Sequence, residues 1–230
     1  MGLPELFDGF RIDHLVGFYR TYMRGRDGTA RFEPPDEPEQ LAQGERLMGR
    51  FAESGARLIA EDLGTVPDFV RDSLARLRIP GMKVLRWERH WKVEGQPFRD
   101  PVGYPADSVA TSGTHDTEPV AEWWDAADPG ERGLACEIPA FQTAGCLPDE
   151  PFSPRVRDAV LSALYSSGSD LLILPVQDVF GWRERVNTPA LVSASNWTWR
   201  LPFPVDALGD RPEARERAAF LGRLSERCGR

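Results

Sequence analysis

Three short apolar segments in this sequence run straight into titratable residues: Phe7-Asp8-Gly9-Phe10-Arg11-Ile12-Asp13-His14, Arg57-Leu58-Ile59-Ala60-Glu61-Asp62 and Val109-Ala110-Thr111-Ser112-Gly113-Thr114-His115-Asp116. Each reads as a buried strand whose C-terminal end delivers acids, an arginine or an imidazole. Acids at the ends of several separate strands are how the active-site face of a (β/α) barrel looks from sequence. No other feature limits the possible folds as strongly.

Strand-like segments end near Asp13, Glu61, Trp87, Asp116 and Gln177, with helix-period segments between most of them, which is the α/β signature. Leu41, Leu47, Met48 and Phe51 make one helical face. Thr65-Val66-Pro67-Asp68 offers a capping hydroxyl and an early proline before Phe69, Val70, Leu74 and Leu77. Met82 to Arg86 is too short for a helix and reads as a strand. Thr117 and Pro119 open a helix in which Trp123 and Trp124 serve packing. Residues 125–152 hold scattered prolines and glycines and read as a loop-rich insertion with one weak helix. Ser153-Pro154 starts a helix with Val156, Ala159, Val160, Ala163 and Leu164 on one face. Leu171 to Val176 looks like the most buried strand, and the polar, aromatic stretch Gln177 to Asn187 like an active-site rim. Asp210-Arg211-Pro212-Glu213 is a further capped helix start.

No composition break divides the 230 residues, so residues 1–230 read as a single domain. One count fails: a closed barrel needs eight strands and typically about 250 residues, and only five strands can be read here.

A net charge of -8 argues against nucleic acid and for a neutral partner. Cys136, Cys146 and Cys228 form no C-x-x-C pair and cannot all pair with each other, which fits a reducing compartment and excludes a metal knuckle. Met1-Gly2-Leu3-Pro4-Glu5 carries no leader pattern, and the longest clean apolar run falls far short of the roughly 20 residues of a membrane span. The expectation is a cytoplasmic protein without a membrane partner.

Cleaving a glycosidic bond takes one carboxyl group as acid and another as base or nucleophile, because the oxocarbenium-like transition state is stabilised by anionic oxygens. Asp13, Glu61 and Asp116 can supply them. Arg11 shares a strand face with Asp13 and can hold it ionised and aimed. Glu61 would have to stay protonated near neutral pH, which burial against an aromatic such as Trp87 could arrange. Taken singly, Arg-x-Asp is most simply a stabilising ion pair and His14 or His115 a rim histidine. Their joint occurrence at three strand ends is what points to chemistry.

Gly9-Phe10-Arg11-Ile12-Asp13-His14, Ala60-Glu61-Asp62-Leu63-Gly64, Pro80-Gly81-Met82-Lys83-Val84-Leu85, Gly113-Thr114-His115-Asp116, Asn187-Thr188-Pro189 and Asn196-Trp197-Thr198-Trp199-Arg200-Leu201, in that order, resemble the amylomaltases, or 4-alpha-glucanotransferases, of the alpha-amylase clan. The resemblance covers nearly all of this sequence but only the C-terminal half or so of the family. It implies the C-terminal part of a (β/α)8 TIM barrel, strands 4 to 8, an incomplete barrel beginning just before the fourth strand. By the same resemblance Asp13 is the nucleophile, Glu61 the general acid/base and Asp116 the transition-state stabiliser. Arg11 and His115 would hydrogen-bond the donor sugar, Trp87 would be an aromatic near the donor subsites, and Asn187 a substrate-binding asparagine. Thr117-Glu118-Pro119 departs from the Asn-Asp-Thr that many members carry after the last acid.

The implied activity is retaining transglycosylation on maltooligosaccharides and alpha-1,4-glucans, with no metal or organic cofactor. The isolated 230 residues are expected to have little or no activity, because a half barrel leaves strand edges and apolar interior uncovered. Three rivals stand beside it: an alpha-glucan hydrolase of the same clan, a barrel metal centre ligated by Asp13, His14, His115 and Asp116, and a non-catalytic glucan-binding remnant. A total of only three histidines with no H-x-H pair speaks against the metal centre.

Overall fold

The computed structural model describes residues 6–230; the expectation about Met1–Glu5 lies outside them. The chain folds into two compact units. The first runs to Met82 and includes Asp107–Val109, and the second comprises Lys83–Ala106 and Ala110–Arg230.

The first unit begins with strand β1 (Gly9–Ile12), a short helix α1 (Val16–Tyr19), the antiparallel pair β2 (Thr21–Arg24) and β3 (Ala30–Glu33), and helix α2 (Glu37–Ala52). It continues through β4 (Arg57–Ala60) and α3 (Asp68–Leu77) into β5 (Gly81–Val84). β1 and β4 are parallel, in register from Gly9 opposite Arg57 to Ile12 opposite Ala60. Gly9 permits the pairing, since a Cβ there would stand 2.8 Å from the Arg57 carbonyl oxygen. Ile12, Leu15, Tyr19, Met48, Leu58, Ala60, Val70 and Leu74 form the core beneath these strands. Tyr19 is fully buried, and its hydroxyl meets Ser73 Oγ at 2.9 Å.

Two local readings change here. α3 starts where expected, but Pro67 occupies the capping position and no side chain caps the helix, so Thr65 stands too early. The β2–β3 hairpin has no counterpart in the sequence reading, because every residue of both strands is exposed and leaves no apolar period of two. Aromatic contact across the hairpin substitutes for burial: the Tyr22 and Phe32 rings lie 5.5 Å apart.

In the second unit β5 passes into a 3-10 turn, Leu85–Trp87, and β6 (Ser108–Thr111), whose first two residues belong to the first unit, is followed by helices α4 (Val120–Ala126), α5 (Pro129–Cys136), α6 (Pro139–Ala144) and α7 (Pro154–Tyr165). The two-residue strand β7 (Leu171–Leu172), helix α8 (Val176–Phe180) and helix α9 (Pro212–Cys228) complete it. The core gathers Leu85, Trp123, Trp124, Phe141, Val156, Val160 and Leu164. Trp123 and Trp124 are buried as helix packing, and α7 opens on the expected cap, Ser153 accepting from the Val156 N–H.

Residues 125–152 are not loop-rich. Pro129 and Pro139 stand in the first turns of α5 and α6, where a missing N–H costs nothing, and Asp128 Oδ1 accepts from the Glu131 N–H at 2.8 Å. Gly145, at φ 69°, ends α6. Helices of eight and six residues are too short for their periodicity to show. The Leu171–Val176 strand shrinks to two residues, neither of them buried, and Pro175 turns the chain into α8. A short apolar run does not distinguish a buried strand from the lead into a helix. α9 forms as expected from Pro212, although Arg211 rather than Asp210 occupies its capping position and no side chain caps it.

The sheet order is β1-β4-β5-β6-β7, with β4 parallel to both β1 and β5. These are the five strands read from the sequence, and they are the C-terminal strands of an incomplete (β/α)8 barrel. Among the described residues no helix is long and apolar enough to cross a membrane.

Candidate functional site

Two constellations hold the site residues, one in each unit. In the first, β1 ends at Ile12, and the strand's alternation puts Arg11 and Asp13 on the same face. The Ile12 carbonyl accepts from the Glu61 N–H at 3.0 Å, and the Leu15 N–H donates to the Glu61 carbonyl at 3.3 Å. Glu61 is therefore laced to the end of β1 through its own backbone. His14 takes a left-handed φ of 45°, a conformation that costs a non-glycine residue about 1 kcal/mol. There its N–H donates to Glu61 Oε2 at 2.6 Å. Gly17 leaves room for the His14 ring, whose Cδ2 a Cβ at position 17 would approach to 3.1 Å.

One guanidinium spans both acids. Arg11 Nη1 donates to Asp13 Oδ1 at 2.7 Å, and its Nη2 lies 3.2 Å from Glu61 Oε2. The two carboxyl groups therefore share one cation. The Asp13 side chain is 62 % exposed and that of Glu61 only 17 %. Burial raises the Glu61 pKa above the usual carboxylate range; the His14 N–H works against it, Asp13 adds to it, and Arg11 pulls it back. The net direction is upward.

Asp62, the next residue, turns the other way and is buried. Its Oδ1 accepts from the Met82 N–H at 2.8 Å and its Oδ2 pairs with Arg71 at 2.8 Å, joining the end of β4 to β5 and α3.

In the second unit Asp116 is held from several sides. Asn187 Nδ2 donates to its Oδ1 at 2.6 Å, His115 Nε2 lies 3.3 Å from the same oxygen, and Arg185 Nη2 donates to its carbonyl oxygen at 3.1 Å. The Asn187 N–H donates to the His115 carbonyl at 3.1 Å. Trp197, 60 % exposed, faces the His115 ring with centroids 5.1 Å apart, and its N–H donates to the Val186 carbonyl. The structure thus brings Asp13, Glu61 and Arg11 together in one unit and Asp116, His115 and Asn187 in the other. Trp87 closes the turn after β5 with 42 % of its surface open.

The departure Thr117-Glu118-Pro119 has structural work. Thr117 Oγ1 accepts from the Thr114 N–H at 2.9 Å, Glu118 binds Arg86 at 2.6 Å, and Pro119 occupies the capping position of α4. Gln177 and Asp178, read as part of an active-site rim, are buried in α8. The sequence reading gave no individual role to Asp62, Arg86, Asp178 or Trp197. Gly81 pressed against a buried acid was the available sign for Asp62, but buried charges far apart in sequence leave no local pattern. Among the described residues no group of three or more His, Cys, Asp or Glu side chains is arranged to hold a metal ion.

The sequence profile of a family described as 4-alpha-glucanotransferase matches residues 3–206. The 4-alpha-glucanotransferase of Thermus thermophilus is 34 % identical over 208 residues, covering 86 % of this chain and 39 % of the relative. That of Chlamydia trachomatis is 30 % identical over 212 residues, covering 86 % and 38 %. The chain therefore spans well under half the length of these relatives. Among solved structures, the amylomaltase of Streptococcus agalactiae in complex with acarbose aligns with 98 % of this chain and 42 % of its own, at a TM-score of 0.69 and 26 % identity.

Proposed function

Because the chain belongs to the 4-alpha-glucanotransferase family, we propose that it carries the catalytic carboxylates of a retaining transfer between alpha-1,4-glucans. Asp13 is the nucleophile. It attacks the anomeric carbon as the bond to the leaving oxygen breaks, and Glu61 gives that oxygen its proton. The glycosyl-Asp13 ester is then opened by the 4-hydroxyl of an acceptor sugar, whose proton returns to Glu61. Asp116 stabilises the positive charge that develops on the sugar. Arg11 and His115 hydrogen-bond the donor sugar, and Trp87 and Asn187 contact substrate. The 2.6 Å bond from Asn187 to Asp116 supports a second duty for that amide, fixing the carboxylate.

The single observation that carries this reading is the pairing of Asp13 and Glu61 under one guanidinium with unequal burial. Double displacement needs one carboxylate ionised and the other protonated at the same pH, and burial of Glu61 beside exposed Asp13 separates them in that sense. Substrates are maltooligosaccharides and longer alpha-1,4-glucans, without a cofactor, and the proposed compartment is the cytoplasm, in keeping with free Cys136, Cys146 and Cys228.

The activity is that of an enzyme of the relatives' full length, of which this chain spans 38–39 %, and the isolated 230 residues should transfer little or nothing. Maltotriose tests both statements when incubated with the two proteins side by side. Glucose together with longer maltooligosaccharides from the whole enzyme alone is the expected product pattern. A net gain of reducing ends would identify a hydrolase, and robust disproportionation by the isolated chain would overturn its proposed inactivity.

A further inference from the structure

The loop that presents His115 and Asp116 leaves β6 at Ser112 and enters α4 at Val120. Two buried side chains, a guanidinium that donates and a carboxyl group that accepts, each bridge its ends. Arg86 Nη2 donates to the Ser112 carbonyl at 3.4 Å and to the Glu118 carbonyl at 2.7 Å, while its Nη1 holds Glu118 Oε1 at 2.6 Å. From the other end, Asp178 Oδ2 accepts from Ser112 Oγ at 2.5 Å and its Oδ1 from the Val120 N–H at 2.7 Å. Arg86 is 4 % exposed and Asp178 3 %. Glu118 extends the network, its Oε2 lying 3.7 Å from Arg185 Nη1, and Arg185 Nη2 reaches the Asp116 carbonyl at 3.1 Å.

Burying a guanidinium and a carboxylate is a costly way to close a loop, since well-packed apolar residues often give equal or greater stability. What the ions add is geometry. The planar fork of an arginine fixes direction as well as distance, and two bridges of opposite polarity across the same loop oppose sliding in either sense. We propose that Arg86 and Asp178 are positioning residues that clamp both ends of the 112–120 loop and thereby hold the Asp116 carboxylate in place before substrate arrives. The clamp stands on this network alone; its catalytic consequence rests on the role assigned to Asp116 above.

Arg86→Lys and Asp178→Asn in the whole enzyme test it. A lysine keeps the charge but cannot serve both carbonyls and the Glu118 carboxylate from one fixed fork. Asp178→Asn, of the same shape, supplies the test if the lysine variant fails to fold. A displaced catalytic group costs about 10²-fold per ångström, and an interaction made only in the transition state affects kcat and leaves KM. The expected result for maltotriose disproportionation is a kcat lower by about 10²-fold with KM within about twofold. Amides of residues 113–118 and of Val120 should exchange about tenfold faster while those of α7 keep their parental protection. Parental exchange across the loop overturns the clamp, and a loosened loop with parental kcat overturns its positioning of Asp116. A parental enzyme without any glucan transfer would defeat the functional reading instead, and the exchange data would still decide the clamp.

Discussion

Gly81→Ala probes the joint between the candidate site and the sheet. A Cβ at Gly81 would lie 2.6 to 2.7 Å from the Asp62 carboxyl atoms, closer than packed atoms approach. Asp62 cannot swing aside freely, because it is buried and holds the Met82 N–H and Arg71, each at 2.8 Å. Overpacking costs typically 1–3 kcal/mol, and loosening a hydrogen bond to a charged group costs about 1.5–3 kcal/mol. Replacing glycine returns about 0.4–1 kcal/mol from the unfolded state. The expected net loss is about 1.5–5.6 kcal/mol, a large share of a typical domain's stability. Urea unfolding followed by circular dichroism measures it, in the parent and again in an Asp62→Ala background. With the carboxylate gone the three atoms nearest the methyl group are removed, so Gly81→Ala should then be neutral to within about 1 kcal/mol. Equal losses in both backgrounds, meaning a coupling below about 0.5 kcal/mol, would refute the reasoning.

Glu61→Gln should stabilise the folded protein increasingly as pH rises. The Glu61 carboxyl has a folded pKa above its ordinary 4.5, so its contribution is fully present below that value and is lost as pH rises through the raised one. Unfolding midpoints measured from pH 4 to pH 8 should diverge upward for the variant, and a constant offset would contradict the burial argument. Arg11→Met removes the charge that pulls the Glu61 pKa down, so the alkaline limb of the transfer profile should move to higher pH; a shift to lower pH would reverse the assignment of the proton to Glu61. Asp128→Ala and Ser153→Ala each delete a helix cap and should cost about 1 kcal/mol in thermal unfolding. Trp124→Ala should cost about 3–5 kcal/mol, because the ring is fully buried and stacked on Phe141; Trp197→Ala, in an exposed loop beside His115, should leave stability within about 0.5 kcal/mol while weakening glucan binding.

Where a short strand ends in an acid, the sequence told both the element and its direction, because strand alternation and chemistry coincide at Arg11, Asp13 and Glu61. Proline carried opposite meanings that only the fold separates: in α7 it joins a serine cap and a long apolar face, whereas Pro129 and Pro139 start helices too short to have one. The hairpin at Thr21–Glu33 stayed hidden because it buries neither face. The clamp on the Asp116 loop joins Arg86, Ser112, Glu118 and Asp178, residues up to 92 positions apart whose pairing exists only after folding. Long-range electrostatics of that kind has no signature in any window of sequence.

The division of labour between Asp13 and Glu61 is open to direct trial by trapping the covalent intermediate. The whole enzyme carrying Glu61→Gln, supplied with a glycosyl fluoride that needs no proton to depart, should form the ester faster than it is opened. Mass spectrometry of the digested protein should then find the glycosyl mass on the peptide that contains Asp13. A label on any other carboxylate, or undiminished transfer by an Asp13→Asn variant, would contradict the account.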